Sequence, residues 1–413
     1  MNKYLMATLA FVMPLIVFFS CKNNPESAST TASTANTQTT NDATTLLKTA
    51  WVKRYTGTIA NEPVVVILYN WIDKSGYPIS GGKYYYKDKS VIINLSRLEI
   101  DSVNKSIVHA LEMPMTHRGW LGEMDMLEND GDKYGPAWNI TFDGPKVYGK
   151  FFNLVSNKTG DIQLTENYHD GCKLDITGIS DSMKGKVKDI NFTANFRFVS
   201  IKPTTTMPAD LAEFLNASLM KLVENDSITA KNMDDFPPKF AVNYIEECKK
   251  ELKSLQDETD VMGTNYYRFR TILPVYNDRD ILTLAHYISS YSGGNHFGFM
   301  TNHINLDMKI KKIIRLENVL NIDTNQIASL LEKAVRKTME IPDDKPIGTE
   351  GEYLLVDTIP PTENFIISDR GLTFCYAPYE IAPFTTGEVY LFLPYTQLDP
   401  MLKEDFKRRM GLK

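Results

Sequence analysis

The C-terminal half of this 413-residue chain contains a strand pattern that runs into a proline-bounded loop, Leu372-Thr373-Phe374-Cys375-Tyr376-Ala377-Pro378-Tyr379-Glu380-Ile381-Ala382-Pro383-Phe384. We expect the strand to end at Tyr376. Because proline restricts φ, Pro378 and Pro383 stiffen the loop between them. Such a loop would hold Tyr379 and Glu380 outward for binding. In the alternative, Tyr379 fills the core and Glu380 caps a turn.

The elements around this segment predict an α+β domain over residues 195–413, with helices packed on an antiparallel sheet. The clearest helix begins where Asp323 and Gln326 form a capping-box-like start. Its expected buried face comprises Ile327, Leu330, Leu331, Ala334 and Val335. Further helices are expected at Pro208–Val223, Pro238–Asp257 and Pro400–Met410, and further strands at Tyr266–Val275, Ile281–Ile288 and Glu388–Leu393.

A second candidate recognition segment is Tyr291-Ser292-Gly293-Gly294-Asn295-His296-Phe297. Paired glycines allow positive φ and a close approach of the backbone to a neighbour. We therefore predict Tyr291, Gly293, Gly294 and His296 as binding residues, together with Tyr379 and Glu380. The alternative is a plain hairpin turn in which His296 is hydrogen-bonded to the backbone.

The first half of the chain has a strand-rich pattern from residue 47 to residue 194. The run Val64–Tyr69 is β-branched and aromatic, and Gly81-Gly82 precedes Tyr84–Tyr86. Turn signals recur at short spacing, for example at Asp143-Gly144-Pro145. This pattern predicts an antiparallel sheet or a barrel-like domain.

Several motifs of the second half occur in an order that resembles a bacterial module. They are the Tyr-x-Gly-Gly-x-His turn at residues 291–296, Asn305-Leu306-Asp307, the capped helix, the segment at 374–384 and a final strand ending in Leu393-Pro394-Tyr395. This order resembles the extracytoplasmic domain of the anti-sigma factor RsiV, a module of unknown function also found in the peptidoglycan deacetylase PdaC. The resemblance covers roughly residues 195–410. Asn295 and Phe384 stand where the family often has Ala and Tyr.

The resemblance implies the cell envelope as the working environment. RsiV senses lysozyme through this module, and PdaC carries it beside an enzyme acting on peptidoglycan. We expect no anti-sigma activity, because the sequence shows neither a cytoplasmic segment nor a transmembrane helix through which a signal would pass.

The first residues of the chain are typical of a lipoprotein signal peptide spanning residues 1–20. Lys3 precedes an apolar run from Leu5 to Phe19 that is shorter than the roughly 20 residues needed to span a bilayer. Ser20 and Cys21 follow, and this arrangement resembles the lipobox at whose cysteine bacterial lipoproteins are lipidated with acyl chains such as palmitate. Residues 21–46 are then predicted to be a flexible Ser/Thr-rich tether. The alternative is an ordinary secretory signal with a chance cysteine.

The composition excludes several classes of site and partner. The net charge of −6 at pH 7 makes nucleic acid a poor partner. Cys172, Cys248 and Cys375 are interpreted as buried small side chains rather than as a disulfide framework. The string around Asp143 resembles the metal-binding motif of the deacetylase domain, but a second aspartate and a His-x-x-x-His pair are missing. We therefore predict no metal, no cofactor and no catalytic residue.

Together these patterns favour a membrane-anchored lipoprotein of the bacterial envelope, periplasmic or surface-exposed. Its expected role is non-enzymatic binding of a peptidoglycan fragment or a lysozyme-like protein, with the membrane as a partner through the lipid anchor. The alternative is an envelope hydrolase with a convergent active site. Trp120, Trp138 and Tyr84–Tyr86 raise the further possibility that the first domain stacks on carbohydrate, although aromatic residues in strands more often fill a core.

Overall fold

The computed structural model describes residues 43–87, 92–113, 136–153, 157–187, 190–223, 228–255, 265–348 and 353–412. The predicted signal peptide, Cys21, most of the tether and Trp120 lie outside these residues.

The first nine strands form one antiparallel sheet, preceded by the short helix α1 (Ala43–Leu46). They are β1 (Trp51–Ile59), β2 (Glu62–Ile72), β3 (Pro78–Tyr86), β4 (Ile92–Leu95), β5 (Glu99–Ile100), β6 (Val108–Met113), β7 (Ala137–Asp143), β8 (Lys146–Asn153) and β9 (Lys158–Glu166). Their order is β4-β3-β2-β1-β9-β8-β7-β6-β5, and pairing of β4 with β6 closes eight of them into a barrel. The prediction of a strand-rich antiparallel N-terminal domain is confirmed.

The apolar run in β2 lacks alternation because both faces of this strand are buried. Val64, Val66 and Leu68 point into the barrel interior, where they pack with its other apolar side chains. Ile67 and Tyr69 point outward and pack against the helices and sheet of the second half. Successive side chains of a strand point to opposite faces, so one continuous apolar run serves two cores.

Three of the aromatic residues considered for carbohydrate stacking are buried: Trp138 and Tyr84 lie in the barrel interior, and Tyr85 points out of the barrel and stacks on Tyr276. Trp138, Tyr84 and Tyr85 are at most 2 % exposed. Trp138 Nε1 and Tyr84 Oη both donate to Glu112 Oε1, at 2.8 and 2.5 Å. These three side chains are therefore not available to a sugar. This outcome agrees with the alternative that aromatic residues in strands fill a core.

A second sheet of six strands follows, and its strands are neighbours in chain order. They are β10 (Leu174–Val187), β11 (Ile190–Pro203), β12 (Asn265–Asp278), β13 (Ile281–Tyr291), β14 (Gly298–Asp307) and β15 (Lys312–Ile314). Between β11 and β12 the chain forms α2 (Ala209–Leu222) and α3 (Phe236–Leu255). This helical crossover brings β12 beside β11 in parallel. The sheet is therefore mixed, whereas an antiparallel sheet was predicted.

A small third sheet and four helices complete the chain. The strands are β16 (Phe365–Ile367), β17 (Gly371–Tyr376) and β18 (Val389–Pro394), and the helices are α4 (Leu316–Val319), α5 (Thr324–Thr338), α6 (Tyr395–Leu398) and α7 (Glu404–Met410). Asp323 caps α5 by accepting a hydrogen bond from the backbone N–H of Gln326 at 3.0 Å. Helices are few relative to strands, so the α+β description of this half is met only loosely.

No helix among the described residues is both long and apolar enough to cross a lipid bilayer.

The change from one sheet to the next occurs between Glu166 and Leu174, whereas the predicted domain boundary at 194/195 falls inside β11. The described residues form one compact unit. The buried Arg54 of β1 joins its parts, because its Nη2 lies 2.6 Å from Asp278 Oδ1 at the end of β12. The domain division therefore stays a prediction.

The three cysteines within the described residues are free thiols. Cys248 and Cys375 are buried, and Cys172 is half-buried. Burial raises the pKa of the Cys172 thiol to about 12 and the pKa of the Cys375 thiol well above its ordinary value, so both are protonated at neutral pH.

Candidate functional site

The two segments singled out as recognition surfaces lie against each other. The turn at residues 291–297 connects β13 with β14, and the loop at 377–383 leads from β17 into a short 3-10 helix, Phe384–Thr386. The imidazole ring of His296 stacks on the ring of Phe384, with centroids 3.9 Å apart and planes 21° apart. Tyr379 Oη lies 3.4 Å from His296 Nε2. Of the six predicted binding residues, the structure thus brings His296 and Tyr379 together, while Tyr291, Gly293 and Gly294 belong to the turn of His296 and Glu380 follows Tyr379.

The glycine turn has a backbone that only glycine adopts readily. Gly293 and Gly294 both have φ of +97°, in the region that disfavours residues with a Cβ. Tyr291 Oη closes the turn by donating to the carbonyl oxygen of Gly294 at 3.0 Å. His296 Nδ1 donates to the carbonyl oxygen of Phe297 at 2.9 Å, as the hairpin alternative expected. Nε2 of His296 faces Tyr379.

The proline-bounded loop resolves the two alternatives differently for its two residues. Tyr379 is 60 % exposed, with φ of +70°, and its N–H donates to the carbonyl oxygen of Ala382 at 2.9 Å. Glu380 Oε2 accepts from the backbone N–H of Ala377 at 2.9 Å. Glu380 therefore closes the turn, and the turn holds the Tyr379 ring outward.

Three phenylalanines complete a surface cluster that we call the aromatic patch: His296, Phe297, Phe299, Tyr379 and Phe384. The Phe384 ring centroid lies 5.4 Å from Phe299, 6.0 Å from Phe297 and 5.9 Å from Tyr379. His296 and Tyr379 are exposed, and the phenylalanines are half-buried. Phe299 was not predicted as a site residue. The signal that finds it is its spacing of two from Phe297, which places both side chains on one face of the strand.

The sheet continues the aromatic patch through a row of facing residues, one per strand. Cross-strand register places Arg197, Phe269, Ser289 and Phe299 side by side on β11 to β14. The Arg197 guanidinium lies 4.5 Å from the centre of the Phe269 ring, and Tyr267 stacks on Phe269 at 4.8 Å. With about 4.8 Å between strands, the row spans roughly 14 Å. Neither Arg197 nor Phe269 was predicted as a site residue.

A buried carboxyl lies behind the aromatic patch. Glu388 Oε2 accepts from Thr301 Oγ1 at 3.0 Å and from Tyr390 Oη at 2.9 Å. Burial raises the pKa of Glu388 to about 7, against the opposing effect of these two hydrogen bonds. Glu388 follows the Phe384–Thr386 turn directly, so it ties that turn to β14.

Within the part of the chain that the structure describes, His109 and His169 form hydrogen bonds with carboxylates, and neither belongs to the patch. His109 is engaged at both ring nitrogens, by Asp101 Oδ2 at 2.8 Å and Asn139 Oδ1 at 2.6 Å. His169 is exposed beside Asp170. In the same described ranges no three His, Cys, Asp or Glu side chains cluster as a metal site. Asp143 ends β7, and β8 begins at Lys146, so the predicted strand and turn are confirmed there.

The comparisons with known proteins bear on the part of the chain that contains the Tyr379 loop. Residues 318–396 match the model of a family described as protein of unknown function, DUF3298. The chain carries a C-terminal DUF3298 domain. The matched residues include α5, β16 to β18, Tyr379, Phe384 and Glu388, while the glycine turn precedes them.

Two solved structures of DUF3298 family members are similar to this chain. One is from Bacteroides fragilis NCTC 9343, at 19% identity and a TM-score of 0.48, covering 59% of this chain and 98% of its own. The other is from Pseudomonas aeruginosa PAO1, at 13% identity and a TM-score of 0.39, covering 57% and 97%. No curated protein matches the chain. The resemblances to RsiV, to PdaC and to lipoproteins stay predictions.

Proposed function

We propose that this protein is an envelope lipoprotein whose aromatic patch binds a saccharide-containing ligand, a fragment of peptidoglycan, without catalysing a reaction on it. One observation carries the proposal. The structure joins two segments distant in sequence into a single aromatic surface, and the Tyr379 ring at its rim is 60 % exposed.

The chemistry of sugars suits such a surface. A sugar ring presents apolar C–H groups on its faces and hydroxyls on its rim, so its face packs on an aromatic ring while the hydroxyls remain hydrated. A cluster of partly exposed aromatic side chains is otherwise a liability for a protein in water.

The backbone at Tyr379 supports a role in binding. A tyrosine at φ of +70° is strained by about 1 kcal/mol or more, a conformation that persists where the surrounding structure enforces it. The enforcing contacts are the Ala382 and Glu380 hydrogen bonds of the loop. Together these hydrogen bonds hold the Tyr379 ring towards solvent.

A lysozyme-like cationic protein is the second candidate ligand. The exposed Tyr379 ring and the neighbouring Glu380 carboxylate offer a cation–π contact and an opposite charge to a lysine or arginine. The net charge of −6 favours the same partner. No observation assigns a site to the hydrolase alternative, which stays a prediction.

Anchoring at Cys21 is the part of the proposal that rests on sequence alone. More than one acyl chain at this residue would make a stable membrane anchor. Labelling cells with a palmitate analogue tests it: the label is expected on the wild-type protein and absent from a Cys21→Ala variant. Label that persists in the variant would contradict the anchor.

Binding is tested by titrating the mature chain carrying Cys21→Ser with soluble muropeptides and, separately, with lysozyme. Tyr379→Ala and Phe384→Ala are each expected to weaken muropeptide binding by about tenfold, since stacking contacts contribute about 1 kcal/mol beyond the buried area. Tyr148→Ala is the matched control, an exposed aromatic residue on β8 of the barrel. Absence of muropeptide binding, or an equal loss in all three variants, would refute the saccharide ligand. Binding of lysozyme alone, lost in Tyr379→Ala, would assign the patch to the second candidate.

A further inference from the structure

A second concave site lies away from the aromatic patch, at the edge of the second sheet. It is a pocket of about 170 Å³ between the end of α2, strands β14 and β15, and the segment before β16. The residues that give it charge and polarity are Lys221, His303, Arg315 and Glu363. His303 is four residues beyond Phe299 on β14, a separation of about 13 Å along the strand.

The pocket combines two cations with one carboxylate. Lys221 and Arg315 are both exposed. Glu363 is held in place because its Oε2 accepts from the backbone N–H of Leu316 at 3.1 Å. Both signs of charge are thus presented within one small volume.

The histidine of the pocket is fixed in one tautomer. His303 Nδ1 and the His303 backbone N–H both donate to Asn364 Oδ1 at 2.8 Å. The Asn364 amide is itself oriented, because its Nδ2 donates to the carbonyl oxygen of Thr301 at 2.9 Å. Nε2 of His303 is therefore the ring nitrogen that carries a lone pair. Burial lowers the pKa of His303 to about 4, so the ring is neutral at physiological pH.

We propose that this pocket binds a small zwitterion, an amino acid or the charged end of a short peptide. Arg315 and Lys221 receive its carboxylate, since a guanidinium matches a carboxylate with paired hydrogen bonds. The Glu363 carboxylate receives its ammonium group. The pocket volume suits a ligand of a few heavy atoms rather than a folded segment.

This proposal is independent of the aromatic patch and of the envelope ligand proposed above. The two sites share no side chain, and the Asn364 amide occupies the edge of β14 between them by bonding Thr301 and His303. Loss of one binding activity therefore leaves the other measurable.

The test is a calorimetric titration of the mature chain carrying Cys21→Ser with alanylalanine and its two capped forms. N-acetylation removes the ammonium group and C-terminal amidation removes the carboxylate. Each cap is expected to weaken binding at least about tenfold, because a hydrogen bond to a charged group is worth about 1.5–3 kcal/mol. Saturable binding of alanylalanine that is insensitive to pH between 5.5 and 6.5 is expected, since neither His303 nor the α-amino group of the ligand, which titrates at about pH 7.7–8.0, changes its charge there.

Variants assign the binding to the pocket. Arg315→Ala and Glu363→Gln are each expected to weaken alanylalanine binding about tenfold, and Lys221→Ala by less, as lysine is a point charge rather than a bidentate donor. Lys309→Ala is the control, an exposed lysine in the turn after β14 and outside the pocket. Unchanged melting temperatures show that the variants fold, as expected for exposed side chains. Equal binding of the capped forms, wild-type affinity in Arg315→Ala, or no saturable binding of alanylalanine would overturn the proposal. Tyr379→Ala is expected to leave this binding unchanged.

Discussion

Arg54→Met is expected to cost about 3–5 kcal/mol of unfolding free energy. The Arg54 side chain is 2 % exposed and makes three hydrogen bonds, to the carbonyl oxygens of Asn277 and Asn167 at 2.5 and 2.6 Å and to Asp278 Oδ1 at 2.6 Å. It thereby joins β1 of the barrel, the segment after β9 and the end of β12. Methionine preserves the apolar stem but leaves Asp278 buried, with Lys87 at 3.7 Å as its remaining cation. Removing one partner of a buried pair has this cost because the other charge stays desolvated.

Three further variants, Lys53→Met, Asp278→Asn and the double variant Arg54→Met/Asp278→Asn, separate the buried charge from lost packing. Lys53→Met, also on β1, removes a more exposed pair with Glu166 and is expected to cost at most about 1 kcal/mol. The double variant Arg54→Met/Asp278→Asn should lose less than the two single variants together, since it leaves no orphaned charge. Urea unfolding followed by tryptophan fluorescence measures the unfolding free energy of the wild type and of the four variants. A loss in Arg54→Met no larger than that in Lys53→Met would refute the reasoning.

Three other predictions concern stability. Glu388, whose folded pKa of about 7 lies above the ordinary carboxyl value of 4.5, binds its proton more tightly in the folded state, so unfolding free energy should fall by up to about 3 kcal/mol as pH rises from 4.5 to 7. A Glu388→Gln variant should flatten that slope in urea titrations at several pH values, and an unchanged slope would contradict the assignment. Asp323→Ala removes the cap of α5 and should cost about 1 kcal/mol, with no loss in the neighbouring Thr324→Ser as control. Trp138→Phe removes one of the two donors to buried Glu112 and should cost about 1–3 kcal/mol in the same assay; a neutral result would show that the Glu112 carboxyl is satisfied without the indole.

The sequence predicted well those elements whose signals lie within a few residues of one another. The helices at Pro208–Val223 and around Asp323 could be found because spacing and capping act within a few residues. They appear as α2 and α5 with closely similar bounds.

Non-local pairing was the part that sequence patterns could not supply. The parallel register of β11 with β12 and the closure of the barrel through Leu95 and Glu112 join strands whose patterns are each compatible with several neighbours. The predicted domain boundary at 194/195 divided β11 for the same reason, because nothing local shows which sheet a strand enters.

The candidate site was likewise predicted in its local parts but not in the way that they come together. Each of its two segments carried its own signal, paired glycines in one and paired prolines in the other. Their meeting, seen in the stacking of His296 on Phe384, depends on how β14 and β18 are placed and has no local signature. Phe269 was missed because an aromatic residue in a strand is more often part of a core.

Co-sedimentation with purified, insoluble peptidoglycan tests the central claim most directly. The mature chain carrying Cys21→Ser is mixed with sacculi, and the bound fraction is measured for the wild-type patch, for Tyr379→Ala/Phe384→Ala and for the control Tyr148→Ala. We predict that the wild-type patch and the control sediment equally and that the double variant stays in solution. Equal sedimentation of the double variant, or none by any of the three, would contradict the proposal that the aromatic patch binds peptidoglycan.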